Sequence, residues 1–306
     1  PRDGSNVESL LKAAGIAMHH AKASSQANVL YYSSDMNAVA VCRLQLEADL
    51  RRAVERGELL LHFQPQVNTV NGSVVGAEAL LRWQHPRHGL LPPFEFIPIA
   101  EEIGVITELG DWVLDDVCRQ LRALDEAGLK LPRMSINVGA FEFNARFINR
   151  VGEVLQQQGL EGRRLELGLS ETIMTDKDPA ARKGLEALRE LGVRLAVDDF
   201  GMGYSPLAYL GHYPLDELKI NRSFVAGCDS DEDSARVLAA IIALARSLKL
   251  GIVAEGVETE EQCRFLIQQG VVVVQGFFFA RPVPEEEFLP LLSPWHFLDQ
   301  VQKVQG

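Results

Sequence analysis

Cysteine is scarce in this chain: four stand among 306 residues, at Cys42, Cys118, Cys228 and Cys263, with no C-x-x-C pair. Thiols so far apart offer neither a readable zinc site nor a disulfide framework, and reduced cytosol is the expected compartment. Long apolar runs are missing as well. The most apolar stretch, Val271 to Ala280, is too short to span a bilayer and is broken by Gln275 and Gly276. No signal-peptide pattern opens the chain. It starts at Pro1 without a methionine, which fits a piece of a longer protein that could itself be attached to a membrane.

Positive charge is in deficit. Against 42 Asp and Glu stand 30 Lys and Arg, a net charge of −12 at pH 7. A grip on DNA or RNA polymers needs a basic face and counterion release, so it is excluded, and only a small anion held by a local site survives. With 47% hydrophobic and 24% charged residues the composition is globular, which rules out disorder and collagen. A chain of this length buries roughly 75% of its unfolded surface, enough for one large core or two smaller ones.

The first apolar helical stretch, Val7 to Ala23, leads into a strand-like Asn28 to Tyr32 and a turn at Ser33 to Asp35. A helix is expected from about Met36 to Arg56, with Leu44, Leu46, Leu50 and Val54 on its apolar face, although Leu44 and Leu46 do not fit one narrow stripe, and Gly57 as its stop. Beyond it, Leu59 to Gln66 and Val74 to Trp83 read as strands joined through Asn71-Gly72, a strong hairpin signal. Strands then alternate with helices. The strands are Met134–Val138, Leu165–Leu169, Val193–Val197, Asp216–Ile220, Gly251–Glu255 and Val271–Gln275, and the helices fall near 108–127, 144–158, 178–191, 232–249 and 259–269. Eight strands in this rhythm predict an α/β fold, a TIM-like (β/α)8 barrel in which the hairpin makes one strand antiparallel.

Barrel chemistry gathers at the carboxyl ends of the strands, where this sequence places Glu78, Asn137, Asp198, Asp199, Lys219, Glu255 and Gln275. Each alone reads as a solvated loop residue; together they read as a metal or phosphate site. Oxygen donors of this kind suit Mg²⁺ or Mn²⁺ rather than zinc. Consecutive Asp198 and Asp199 can both reach one site only where strand alternation relaxes. Two ions bridged by a carboxylate would suit attack on a phosphodiester. Lys219 then orients or deprotonates the attacking water if its pKa is lowered, or else serves as an ion-pair partner of Asp198 or Glu255.

The segments Phe63-Gln-Pro65, Glu78-Ala-Leu-Leu-Arg-Trp83, His85-Pro86, Phe96-Ile97, Ala100-Glu101, Ile136-Asn-Val138, Asp198-Asp-Phe-Gly201, Leu218-Lys-Ile220, Arg222-Ser-Phe-Val225, Ala254 to Thr259 and Gln275-Gly-Phe277 resemble, in order, the EAL domain. That family adopts such a barrel and hydrolyses cyclic di-GMP to the linear dinucleotide pGpG with Mg²⁺ or Mn²⁺. The resemblance runs from about residue 44 to 290. Residues 1–37 resemble the closing helix and strand of a GGDEF domain, notably at Ala17-Met18, Ala21-Lys22 and Tyr32, without the cyclase signature. The implied organisation is a GGDEF remnant over 1–37, a linker helix over 38–57 and the barrel over 58–306.

Carried over position by position, the resemblance makes Glu78, Asn137, Asp198, Asp199 and Glu255 metal ligands. It places Lys219 beside the nucleophilic water and Glu171 with it in the catalytic set, bracing the loop after Asp199. Gln64, Leu81, Arg82, Asp199, Glu258 and Gln275 become ligand-binding positions. It further implies cyclic di-GMP as partner, a homodimer, and upstream GGDEF or sensor domains.

The pattern breaks at Gly168-Leu-Ser-Glu171, where the family reads Glu-x-Thr-Glu and uses the first glutamate as a metal ligand. Met202, Pro206 and Asn221 depart from the family's loop and Lys-Ile-Asp signatures. These changes point to a cyclic di-GMP receptor with impaired chemistry; the alternative is a working phosphodiesterase in which water or Glu171 compensates for Gly168. His85 and His88 read as surface loop histidines, Asp229 to Asp233 as a solvated loop and helix start, and Phe277 to Phe279 as barrel core or a subunit contact.

Overall fold

The computed structural model describes residues 31–174, 179–201 and 210–305, with Asn6, Val7, Leu10, Leu11, Ala13–Gly15, Ala17 and Met18; of 34–40 it describes the backbone. Met202, Pro206, Ala21-Lys22 and most of the expected strand 28–32 lie outside the described residues. Tyr31 and Tyr32 are not in a strand, and the described residues between Val7 and Met18 are almost all helical.

The chain forms two compact units, Pro1–Glu58 with Phe94–Val105, and Leu59–Pro93 with Ile106–Gly306. The first carries α1 (Ser34–Leu50) and most of α2 (Pro93–Ile103). The long helix expected to Arg56 stops at Leu50, and residues 51–57 continue as turns that end at Gly57 with φ 65°. Leu50 is buried whereas Leu44 is 64% exposed, in keeping with a face that is not one narrow stripe. Arg43 pairs with Glu47 and Glu102 inside this unit.

The second unit is the barrel. β1 (Leu59–Asn68) and β2 (Val74–His85) pair antiparallel from Leu59↔Trp83 to Val67↔Val74, as the Asn-Gly signal predicts. Between them Gly72 takes φ 71° and donates to Asn68 O at 2.8 Å. β3 (Gly89–Leu91) adds to β2, and then β4 (Met134–Val138), β5 (Leu165–Ser170), β6 (Arg194–Phe200), β7 (Glu217–Ile220), β8 (Gly251–Ala254) and β9 (Val273–Val274) follow in parallel register. β1 pairs with both β2 and β9, so eight strands close on themselves and leave β3 as an appendage. Closure removes the exposed edge that an open sheet would carry. The expected strand Val271–Gln275 shrinks to Val273–Val274, and the carbonyls of Val271 and Val272 before it accept from the Thr69 hydroxyl.

Helices α3 (Ile106–Glu126), α4 (Ala145–Gln158), α5 (Pro179–Glu190), α7 (Glu232–Ser247) and α8 (Glu260–Gln268) link the parallel strands, with short α6 (Arg222–Val225) after β7. α4 shows how the sequence sets each one. Asn144 caps its start by accepting from Phe147 N, Gly159 ends it at φ 63°, and Phe147, Val151, Val154 and Leu155 form the buried stripe. Asp231 caps α7 in the same way, as expected of the acidic run.

Strand alternation sorts the rest. Met134, Ile136, Leu165, Leu167, Leu169, Leu195 and Val197 are buried on one face. The other face carries two polar layers: Gln66, Arg133, Glu166, Arg194 and Glu217 towards the amino ends, and Gln64, Glu78, Asn137, Asp198, Lys219, Glu255 and Gln275 towards the carboxyl ends.

Candidate functional site

Lys219 organises the carboxyl end of the barrel. It stands on β7 at 0% exposure, a burial that a charged ammonium tolerates only among partners. Its Nζ lies 3.1 Å from Glu255 Oε1, 3.2 Å from Glu78 Oε1 and 3.5 Å from Asp198 Oδ1, and donates to Asn137 Oδ1 at 3.3 Å. Burial opposes its charge, but Asp198, Glu255 and Glu78 outweigh that and hold its pKa well above the ordinary value. Lys219 is thus an ion-pair partner of Asp198, Glu255 and Glu78 in this structure.

The carboxylates divide in character. For Glu78, burial is outweighed by Lys219 and by hydrogen bonds from Asn137 and Gln275, so its pKa is lowered. Burial pushes Glu255 up to about 8 despite Lys219, with Glu78 and Asp198 adding repulsion. Asp198 is raised by burial in the same way.

Asp199 shows how two consecutive acids are aimed. Its φ of 52° lies in the left-handed region, and the β6–β7 register shifts between Val197 and Phe200. Alternation thus breaks where the sequence requires it. Asp198 Oδ1 accepts from Asp199 N at 3.0 Å, while Asp199 Oδ1 accepts from Asn221 Nδ2.

Gln64, Glu78, Asp199, Glu255, Glu258 and Gln275 all line one cavity of about 290 Å³. Gln275 Nε2 donates to Gln64 Oε1 at 3.0 Å and to Glu78 Oε2, and Gln64 Nε2 donates to Ala280 O at 3.0 Å, so both amides are fixed in orientation. Asn137, Asp198 and Lys219 join through their contacts with Glu78 and Glu255. Three further expected positions do not line the cavity either. Arg82 Nη1 donates to Leu81 O at 2.8 Å, and the buried Leu81 side chain lies on the opposite face of β2 from Glu78 and Arg82. Glu171 Oε1 accepts from Gly201 N at 2.7 Å, which ties it to the start of the loop after β6.

Asn221, which the sequence marks as a departure from the family signature at the metal rim, also lines the cavity, as do Arg222, Phe277 and Pro282, to which sequence reasoning gave no role there. Phe277 is not barrel core: it is 45% exposed with the Arg281 guanidinium 4.2 Å from its ring centre, while Phe279 is buried. The wall depends on close backbone approach. A Cβ on Gly256, which sits at φ 69°, would meet Arg222 Cβ at 2.2 Å, and one on Gly276 would meet Val257 O at 2.1 Å. His85 also departs from expectation. It is 1% exposed, its Nδ1 accepts from the backbone of Arg87 and His88, and its ring packs on Trp83.

Gly168 completes the geometry. It pairs with Asn137 on β4 and Ala196 on β6, and a Cβ built there would lie 2.7 Å from Asn137 Oδ1, 3.3 Å from Asp198 Oδ2 and 3.4 Å from Lys219 Nζ. A side chain at 168 would therefore enter the centre of the cluster. The donors present are oxygen alone, a set that fits a hard divalent cation. Among the described residues no three His, Cys, Asp or Glu side chains stand close enough to share an ion; the carboxylates are spread around Lys219.

Comparison with known proteins agrees with this arrangement. The EAL domain family matches residues 47–282. The bifunctional diguanylate cyclase/cyclic di-GMP phosphodiesterase MucR of Pseudomonas aeruginosa is 45% identical over 94% of this chain and 42% of its own length. The oxygen sensor protein DosP of Escherichia coli is 39% identical over 93% of this chain and 36% of its own. This chain thus spans about two fifths of these curated relatives. Among solved structures, the PaMucR phosphodiesterase in complex with c-di-GMP is 46% identical with a TM-score of 0.77, covering 80% of this chain and all of that one. The Xanthomonas citri FimX EAL domain in complex with c-diGMP is 26% identical with a TM-score of 0.72, covering 81% and 97%. Shared motifs, a shared barrel and a match over most of its length make this chain a member of the EAL domain family.

Proposed function

We propose that the chain binds cyclic di-GMP at the carboxyl end of its barrel and serves as a receptor in which phosphodiester hydrolysis is impaired. Gly168 carries this reading: the position beside Asn137, Asp198 and Lys219 holds hydrogen where the family pattern has a carboxylate. The preserved frame of Gln64, Gln275 and Glu78 supports retention of the ligand. Arg222 and Phe277 add a cation and an exposed ring to the cavity wall, and Arg82, outside that wall, carries a guanidinium suited to phosphate oxygens.

Glu78, Asn137, Asp198, Asp199 and Glu255 would hold Mg²⁺ or Mn²⁺. Such an ion, when bound, polarises a phosphoryl oxygen and lowers the pKa of water. Lys219 keeps its proton in the present arrangement and offsets carboxylate charge. With Gly168 and Asn221 both uncharged, the site lacks two carboxylates of the family pattern, which weakens its hold on a dication. Glu171 is a poor substitute because its Oε1 already accepts from Gly201 N.

A working phosphodiesterase is the second reading, favoured by the convergence of three carboxylates and an amide around Lys219. We further propose the organisation read from the sequence, a GGDEF remnant and linker before the barrel, with cytoplasmic exposure of the site and pairing into a homodimer. Equilibrium titration with cyclic di-GMP in Ca²⁺ and in Mg²⁺ tests the binding claim. Saturable binding in both is expected, and no binding in either would overturn both readings.

A further inference from the structure

The opposite end of the barrel carries a different charge pattern. Strands β4, β5 and β6 are neighbours, and each opens on an arginine: Arg133 just before β4, Arg164 just before β5 and Arg194 at the start of β6. With Lys130 and Arg163 they line a cavity of about 490 Å³ whose one acidic lining residue is Asp125. Five cations around one cavity are unexpected in a chain of net charge −12.

Two of them have structural duties. Arg133 Nε lies 3.0 Å from Glu166 Oε2 and its Nη2 3.1 Å from Glu217 Oε2, and Arg194 Nε lies 3.3 Å from Glu166 Oε2. These ion pairs neutralise two buried glutamates. They leave Lys130, Arg163 and Arg164 unexplained. Arg164 Nη1 meets Asp125 at 2.8 Å, but its Nε and Nη2 are buried without a hydrogen-bond partner. Arg163 is 75% exposed and pairs with Glu161, itself 67% exposed, a pairing that solvent screens. Leu131 and Pro132 add apolar lining.

We propose that this cavity is a second ligand site, for a phosphate-bearing small molecule of nucleotide size held by Lys130, Arg163 and Arg164, with Leu131 and Pro132 against its apolar part. Guanidinium forks match phosphate oxygens in geometry as well as charge. The volume falls within the ordinary range for small-molecule pockets. The site stands at the amino ends of the strands and is independent of the reading given to the carboxyl end.

Calorimetric titration of the whole chain with pyrophosphate, ATP and GTP at low salt tests the proposal, with and without saturating cyclic di-GMP. One-site binding that cyclic di-GMP leaves unchanged is expected, tighter for the nucleotides than for pyrophosphate. Arg163→Glu and Lys130→Glu, both at exposed positions, should each weaken it by about tenfold, and Arg164→Gln should do so with its thermal melt recorded alongside. Non-saturating heats, displacement by cyclic di-GMP, equal affinity for pyrophosphate and nucleotides, or exposed-site variants within about twofold of the parent would each overturn it.

Discussion

Replacing Lys219 by methionine removes the charge that three carboxylates share while keeping most of the side-chain volume. Nζ lies 3.1–3.5 Å from Glu255, Glu78 and Asp198. Breaking a buried ion pair by deleting one partner costs about 3–5 kcal/mol, because the remaining charge is stranded. At about 2–4 °C per kcal/mol for a domain of this size, the melting temperature at pH 8 should fall by about 6–20 °C. The sign of the pH dependence follows from proton uptake. Glu255 already titrates at about 8, above the unfolded value, and without Lys219 its folded-state pKa rises further. The folded variant then binds more protons than the unfolded chain, so its stability rises as pH drops from 8 towards 5. The loss should therefore shrink markedly at pH 5.5. Differential scanning calorimetry of parent and variant at both pH values measures this. A loss below about 2 °C at pH 8, or an equal loss at both pH values, would refute the assignment of Lys219 as the counter-charge.

Gly168→Glu should crowd Asn137 and lower stability by about 1–3 kcal/mol without divalent ions, yet raise the melting temperature on adding Mn²⁺ more than the parent does; thermal melts with and without Mn²⁺ check both. Glu217, pushed up to about 7 by burial and by Glu166, binds a proton in the folded state that it lacks when unfolded near neutrality, so stability should decline as pH rises through 7. Glu217→Gln should flatten that part of the pH–stability curve in calorimetry. Gly72→Ala should cost more than about 1 kcal/mol in urea melts, because the position sits at φ 71° and a Cβ would meet Leu298 N at 2.7 Å.

Much of the barrel is legible in the pattern of residues. Asn71-Gly72 announces the antiparallel hairpin because a glycine tolerates the positive φ, here 71°, at which the chain reverses. The chemistry-bearing residues are found by asking what ends each apolar strand, which leads to Glu78, Asn137, Asp198, Lys219, Glu255 and Gln275. What stays hidden is set by tertiary packing. The long helix breaks at Leu50 although nothing local stops it before Gly57. Only Val273–Val274 of the expected last strand forms, and Val271 before it instead accepts from the Thr69 hydroxyl, 202 positions away. Arg222 and Phe277 reach the cavity because Gly256 and Gly276 let the loops after β8 and β9 approach neighbouring backbone and side chains, and no periodicity records that. His85 looks like a surface loop residue, yet its ring nitrogen anchors the turn into β3. The basic cavity is invisible in a net charge of −12 because its arginines are spread from 133 to 194 and meet only through β4–β6 adjacency.

The central claim is that this EAL domain holds cyclic di-GMP better than it cuts it. A single-turnover incubation of excess protein with labelled cyclic di-GMP and Mn²⁺, scored by chromatography for intact and linear product while the complex is retained on a filter, addresses it directly. Retained, uncut ligand is the predicted result. Rapid linearisation that Glu78→Ala abolishes would contradict it and make the chain a working phosphodiesterase.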